Sequence, residues 1–198
     1  MQTRIILIRH GETRANRQKR YIGVTESKLT PYGRYQARCV KKRIAEDSID
    51  RIFVSSSRRA LDFSRIIFGN REKKILADLR EMNFGIFEGL TYSEAIKKYP
   101  LLYNKWLKNP QRFNIPKAES FIDFRLRILR LLKEIVRNNT GKNIAIVTHG
   151  GPIMLILKRV LKSKNSPKIM PDLGSVTIIE FNKLKPKILM LNDTSHCK

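Results

Sequence analysis

Apolar positions along the chain follow two patterns, short unbroken runs and longer stretches with helical spacing. Ile5-Ile6-Leu7-Ile8 and Ile144-Ala145-Ile146-Val147 are unbroken, the mark of strands buried on both faces. Ile52-Phe53-Val54 predicts a further short strand, Lys74 to Ala77 another, and Val176 to Phe181 with Lys187 to Leu191 a terminal strand pair. Thr30-Pro31 is a helix start, with Thr as N-cap and Pro at the first helical position, for a helix running to about Glu46. A second helix spans about Arg58 to Phe68, where Gly69-Asn70 is a stop signal. The longest helix runs from about Glu119 to Asn138, with Phe121, Phe124, Ile128, Leu131, Leu132 and Ile135 on one face. Pro152 opens the last, which reaches about Leu161. Glu12 to Lys28 is a polar loop. Residues 91 to 116 read as one or two short helices broken at Pro100 and Pro110, a cover over the sheet edge at about 90–118. The alternation of strand and helix predicts the α/β class with a mostly parallel sheet.

The two longest apolar runs end alike. The first leads into Arg9-His10-Gly11, the second into Thr148-His149-Gly150-Gly151. Each histidine is therefore expected just beyond the carboxyl end of an interior strand, the edge at which open α/β sheets bind ligands. Only three histidines exist in the chain, so two at equivalent strand ends form a candidate catalytic pair. Arg9 beside His10 suits an anion that is both held and attacked, because guanidinium stays charged and pairs bidentately with phosphate oxygens. Neutral imidazole is a competent nucleophile near pH 7. Gly150-Gly151-Pro152 at a helix start offers free backbone N–H groups to the same anion. The third histidine, His196, lies in a polar tail and is expected to be inert.

Composition narrows the class without choosing a partner. An apolar share of 41% with 29% charged residues is that of a soluble globular chain, and no linker divides its 198 residues, so one domain over 1–198 is expected. No stretch is apolar enough to span a bilayer and no signal peptide opens the chain, which makes the cytoplasm the expected location. Cys39 and Cys197 are read as free thiols, with no metal site and no cofactor expected. The net charge of +24 is compatible with nucleic acid, an anionic membrane or small anionic substrates. The basic residues are spread out, and no segment has the aromatic spacing of an RNA-recognition sheet or a zinc-finger pattern. A generally basic surface, with no specific nucleic acid and no membrane partner, is the simpler reading.

Four blocks resemble the histidine phosphatase superfamily, also called phosphoglycerate mutase-like. Arg9-His10-Gly11-Glu12-Thr13-x-x-Asn16 resembles its R-H-G-x-T-x-x-N signature, and Ser55-Ser56-Ser57-Arg58-Arg59-Ala60 its S-x-L-x-R-A segment, with Ser57 where Leu is usual. Leu79-x-Glu81 through Phe84-Gly85-Ile86-Phe87-Glu88-Gly89 resembles L-x-E followed by F-G-x-W-E-G, with Phe87 in the Trp place. Val147-Thr148-His149-Gly150-Gly151 resembles V-S-H-G-G. The resemblance implies a three-layer α/β sandwich, helices flanking the central sheet, and a metal-independent phosphomonoesterase working through phosphohistidine. By it, His10 is the nucleophile; Arg9, Arg59 and His149 surround the phosphoryl group; Glu81 is the general acid; Asn16 and the Gly150 amide add hydrogen bonds. Glu88 matches the structural acid of its block, and Arg58 is a solvated neighbour of Arg59.

The block after Glu81 resembles the phosphatase branch rather than the mutases, and a short cover makes it harder to keep water from a phosphohistidine. Net hydrolysis of a small phosphorylated metabolite, by a monomer or homodimer, is the expectation. Tyr21-Ile22-Gly23, Leu29-Thr30-x-x-Gly33-x-x-Gln36-Ala37 and the F-G-x-x-E-G-L-T run resemble α-ribazole phosphatases, which act on α-ribazole 5′-phosphate in cobalamin assembly. Broad-specificity sugar or nucleotide phosphatases and phosphoglycerate mutases are the alternatives, with a noncatalytic nucleic-acid-associated protein behind them. Pro116-Lys117-Ala118-Glu119-Ser120 departs from the family's P-x-G-E-S by lacking its glycine.

Overall fold

The computed structural model describes residues 1–161 and 169–197. Its strands are β1 (Gln2–Arg9), β2 (Arg51–Ser55), β3 (Lys74–Leu76), β4 (Asn143–Thr148), β5 (Val176–Asn182) and β6 (Lys185–Asp193). They form one sheet in the order β3-β2-β4-β1-β5-β6. The β3-β2, β2-β4 and β4-β1 pairs are parallel, while β1-β5 and β5-β6 are antiparallel. The sheet is thus mostly parallel on the side that carries the two histidine strands, with an antiparallel pair closing the other.

Because successive strand residues point to opposite faces, the unbroken runs supply two cores at once. Ile5 and Leu7 join Ile144 and Ile146 on one face, under helices α6 (Phe121–Asn138) and α7 (Gly150–Leu161). Ile6 and Ile8 join Ala145 and Val147 on the other, under α2 (Pro31–Arg43) and α3 (Arg58–Phe68). The result is the three-layer α/β arrangement expected from the sequence. A third, smaller cluster of Phe87, Ala95, Tyr103 and Ile115 lies in the cover segment, built on α4 (Tyr92–Lys98) and α5 (Pro100–Lys108). Arg20 and Tyr21 attach the cover to the body, Arg20 through a bridge to Thr91 and Tyr21 by donating its amide to the Leu90 carbonyl.

Several boundaries differ from the pattern reading, each for a local reason. The polar loop after β1 contains a one-turn helix, α1 (Arg14–Arg17), held by a capping box in which Thr13 and Asn16 satisfy each other's backbone amides. Helix α2 stops at Arg43 rather than Glu46. Helix α6 starts after Ser120, whose hydroxyl accepts from the Asp123 amide. Helix α7 begins at Gly150, two residues before Pro152, because its glycines let the helix start directly under Arg9 and Glu81. His196 makes contacts that the pattern reading does not foresee. Its side chain is 5% exposed, in a short helical turn (Ser195–Cys197) packed against α2, with Nε2 3.1 Å from the Gly174 carbonyl oxygen. The tail is docked, so this histidine is a structural member of the fold rather than a solvated bystander.

Phe63 of α3 is fully buried and lies where a side chain on Gly11 would have to go, with its ring edge 2.7 Å from that position. It supports the core and the backbone next to His10 together. Phe63→Ala is expected to cost about 3–5 kcal/mol in urea unfolding, with Phe63→Leu costing less; a loss below about 1 kcal/mol would contradict this packing.

Candidate active site

The sheet register brings the two histidines together. Arg9 pairs with Thr148 in the parallel β1-β4 ladder, so the next residue on each strand is a histidine, and the rings meet edge to face with centroids 5.1 Å apart. His10 donates its amide to the Thr148 carbonyl at 3.0 Å, and its own carbonyl accepts the Gly174 amide at 3.2 Å. Its Nδ1 lies 2.8 Å from the Gly11 carbonyl oxygen. A carbonyl can only accept, so Nδ1 carries the proton and Nε2 keeps the lone pair. The ring is 3% exposed. Burial, followed by the charges of Arg59 and Arg9, holds its pKa well below the ordinary imidazole value. His10 is thereby a neutral imidazole with a free, oriented Nε2.

His149 is fixed at both nitrogens. Nε2 is 2.8 Å from the Ser55 hydroxyl at the end of β2, and Nδ1 accepts from Arg59 Nε at 3.2 Å. Its pKa is also well below the ordinary value, from burial first and Arg59 second. Arg59 is 1% exposed, yet among the described residues no carboxylate pairs with it. Its other donors go to the carbonyls of Gly23 at 2.8 Å and Thr25 at 3.2 Å. Arg58, by contrast, lies at the surface beside Asp62. Arg9 reaches across the start of α7 to the Pro171 carbonyl, and its buried Nε has no hydrogen-bond partner among the described residues. Two buried guanidinium groups thus flank the histidines without a direct ion pair among the described residues, with Glu81 the first of the carboxylates whose charge acts on both, an arrangement that leaves room for an incoming anion.

Glu81 approaches from the loop after β3. Its carboxylate accepts the Gly151 amide at 2.9 Å and the Met82 amide at 3.0 Å. A Cβ on Gly151 would fall inside that carboxylate, so glycine is what allows Glu81 to sit on the first turn of α7. Thr148 anchors the same loop by donating to the Leu79 carbonyl at 2.6 Å. The Asn16 side-chain oxygen is used in the α1 capping box, leaving its NH₂ as the group available to an anion. The Gly150 amide stands at the start of α7, where the helix dipole favours negative charge. Glu12 is occupied within the protein, accepting from the Thr30 hydroxyl at 2.6 Å and pairing with Arg17 at 2.8 Å.

Glu88 accepts four backbone amides, those of Gly23, Val24, Thr25 and Phe84. The 23–25 loop is therefore clamped, its amides by Glu88 and its carbonyls by Arg59. Sequence reasoning missed three contributors. Ser55 holds His149, and Gln36 ties the Glu12 amide to the Leu173 carbonyl at 2.8 and 2.7 Å. The 171–174 segment holds Arg9 and His10. Ser55 and Gln36 stand in the quoted family strings and could have been flagged there, whereas the 171–174 contacts are long-range and have no local pattern. Among the described residues no group of three His, Cys, Asp or Glu side chains could hold a metal, and no helix is long and apolar enough to cross a membrane.

Two strand-end histidines, two buried arginines and a carboxylate thus meet at one edge of the sheet. Residues 5–194 match the model of the histidine phosphatase superfamily (branch 1), and the chain belongs to that family. It is 30% identical over 98% of its length to a metal-independent phosphoserine phosphatase of Arabidopsis thaliana, covering 83% of that protein. Among solved structures it resembles the α-ribazole phosphatase of Shigella flexneri, with a TM-score of 0.87 and 28% identity over 96% of each chain. The phosphoserine phosphatase of Entamoeba histolytica, crystallised with 3-phosphoglyceric acid, gives 0.86 and 28%, covering 99% of this chain and all of that one. The protein is accordingly a phosphatase of the histidine type.

Two outcomes follow from this geometry. Both histidines are kept neutral in the fold, so the unfolded chain takes up more protons once pH drops below about 6.5. Their contribution to stability is fully present above that pH and is lost as pH falls toward their depressed native values. Unfolding free energy should decline there with a slope approaching about 2.7 kcal/mol per pH unit from the pair; His10→Asn and His149→Asn should each remove about half of it, and an unchanged slope would contradict the assignment. Gly151→Ala displaces the Glu81 carboxylate, and kcat should drop about 10²-fold with little change in KM, whereas wild-type kcat would show that Glu81 is not held there.

Proposed function

We propose that the protein hydrolyses a small phosphate monoester through a phosphohistidine on His10 Nε2, without a metal. The observation that carries this is the buried, neutral His10 ring, anchored at Nδ1 by the Gly11 carbonyl and flanked by the guanidinium groups of Arg9 and Arg59. Arg9, Arg59, the Asn16 NH₂ and the Gly150 amide hold the phosphoryl oxygens. His149 joins them once the anion takes over one of its two present contacts. The Nε2 lone pair forms the N–P bond as the P–O ester bond breaks, and protonated Glu81 gives its proton to the departing alkoxide. Water then attacks phosphorus, Glu81 takes up its proton, and the N–P bond breaks to release orthophosphate and neutral His10. The fixed positive groups stabilise the charge on the transferring group throughout.

The strings around Tyr21, Gly33 and Glu88 support α-ribazole 5′-phosphate as the substrate, in cobalamin assembly, as does the likeness to the Shigella flexneri enzyme. A second reading is phosphoserine. The hollow beside Glu81, lined by Val24, Arg80, Asn83, Glu119 and Arg127, is about 190 Å³, below the roughly 300–1,000 Å³ of sites for drug-sized ligands. Its size suits a small phosphorylated acid better than a nucleoside. The Arabidopsis and Entamoeba relatives support the same reading.

Phosphate release from α-ribazole 5′-phosphate, phosphoserine, 3-phosphoglycerate, sugar phosphates and nucleoside monophosphates, measured with EDTA present, tests both parts. Wild type should turn over one of the first two with a clear kcat/KM preference, His10→Ala should be inactive, and Glu81→Gln should lose about 10²–10⁴ in kcat. Strong residual activity in His10→Ala, or loss with EDTA, would overturn the mechanism. Exchange of 2- and 3-phosphoglycerate without net phosphate release would replace it with mutase chemistry.

A further inference from the structure

Helix α2 carries a surface that neither the fold nor the active site uses. Its inner face, with Gln36, Ala37 and Val40, is buried against the sheet. Its outer face presents Arg34, Arg38, Lys41 and Lys42, all exposed, and the helix has no acidic residue. Spacings of three, four and seven residues place these cations in one stripe, about a turn apart and spanning roughly 12 Å. Among the described residues none of the four forms an ion pair. Tyr32 and Tyr35 edge the stripe, 47% and 41% exposed, their rings stacked at 6.0 Å and 27°.

Helix stability does not explain this composition. Lys41 and Lys42 complement the carboxyl end of the dipole, but Arg34 lies near the amino end, where a cation is unfavourable, and no acid offsets it. The outward face of α6 is different, because Asp123 and Glu134 interrupt its Arg125, Arg130, Lys133 and Arg137. Nor does α2 expose the Leu, Phe or Trp side chains with which a basic helix enters a membrane surface. Cations in a row beside open aromatic faces match instead the chemistry of a single-stranded nucleic acid, whose phosphates pair with the stripe and whose unstacked bases rest on tyrosine.

We propose that the outer face of α2 is a sequence-independent binding surface for single-stranded nucleic acid, separate from the phosphatase site. The probe is a fluorescein-labelled 20-nucleotide oligouridylate, followed by anisotropy from about 50 to 300 mM KCl. Four variants are compared with wild type. One carries Arg34→Gln, Arg38→Gln, Lys41→Gln and Lys42→Gln. A second carries Arg125→Gln, Arg130→Gln, Lys133→Gln and Arg137→Gln, with the same change in net charge. A third has only Arg34→Gln and Arg38→Gln, which relieves the dipole and preserves the fold. The fourth is Tyr32→Ala/Tyr35→Ala.

The α2 variant should bind about 30-fold more weakly at 100 mM salt, with a log–log salt slope shallower by up to about 3. The α6 variant should lose less than about 3-fold, and the double arginine variant should lie between. The tyrosine variant should lose about 10-fold with its salt slope unchanged. Phosphatase turnover should stay at the wild-type level in the α2 and tyrosine variants. Equal losses in the α2 and α6 variants would reduce the effect to net charge and overturn the proposal. So would absence of wild-type binding at 100 mM salt, or stronger binding to phosphatidylserine vesicles than to the oligonucleotide.

Discussion

The buried guanidinium of Arg59 is the constraint around which the site is organised. It is almost wholly removed from water, and its partners are two backbone carbonyls and an imidazole nitrogen, all neutral. A cation placed so is hydrogen-bonded without a direct ion pair, which is costly for a fold and useful for binding an anion. Burial first, and then its charge, keep both histidines neutral, because a second positive charge beside it is unfavourable. The charge that would receive the phosphoryl group thus reinforces the neutral state of His10. The 23–25 loop, which supplies the two carbonyls, is held from its other side by Glu88.

The remaining parts are brought in by strand register and by a few long-range hydrogen bonds. Parallel pairing of β1 with β4 puts His10 opposite His149; β2, next to β4, delivers Ser55 to the far side of His149. Glu81 is held from both sides, by the Met82 amide of its own loop and, on α7, by the Gly151 amide and the missing Cβ. Gln36 and the docked C-terminal turn connect the His10 loop to the 171–174 segment from behind. Polar groups are therefore buried in number here, and among the described residues Arg9 Nε, Ser175 Oγ and His196 Nδ1 are left without a hydrogen-bond partner; of these Arg9 Nε lies beside the histidines, where a donor can be kept for a ligand.

Much of this was legible in the chain. The unbroken runs at Ile5 and Ile144 announced interior strands, and a histidine after each announced a shared edge, because period-2 burial and strand-end geometry are local properties. The helix starts at Thr30 and Ser57 and the α/β alternation were equally local. What was not legible depended on tertiary contact. Gly150-Gly151-Pro152 read as a helix start, but nothing local told that Arg9 and Glu81 would lie where Cβ atoms on the two glycines would go. The docking of the tail around His196 was not legible either, since nothing in a short polar segment tells that Gly174 and α2 will receive it. The α2 stripe was diluted in a chain of +24 net charge and became visible only once the buried and exposed faces were separated.

The central claim is that burial, reinforced by the charges of Arg59 and Arg9, keeps His10 neutral with its proton on Nδ1 and its lone pair on Nε2. Long-range ¹H–¹⁵N correlation spectra of ¹⁵N-histidine-labelled protein, taken from pH 5 to pH 8 with His10 assigned by difference against His10→Asn, test it directly. The account predicts a Nδ1–H tautomer with an unprotonated Nε2 across that range. An imidazolium titrating near pH 6.5, or a proton on Nε2 at neutral pH, would contradict it.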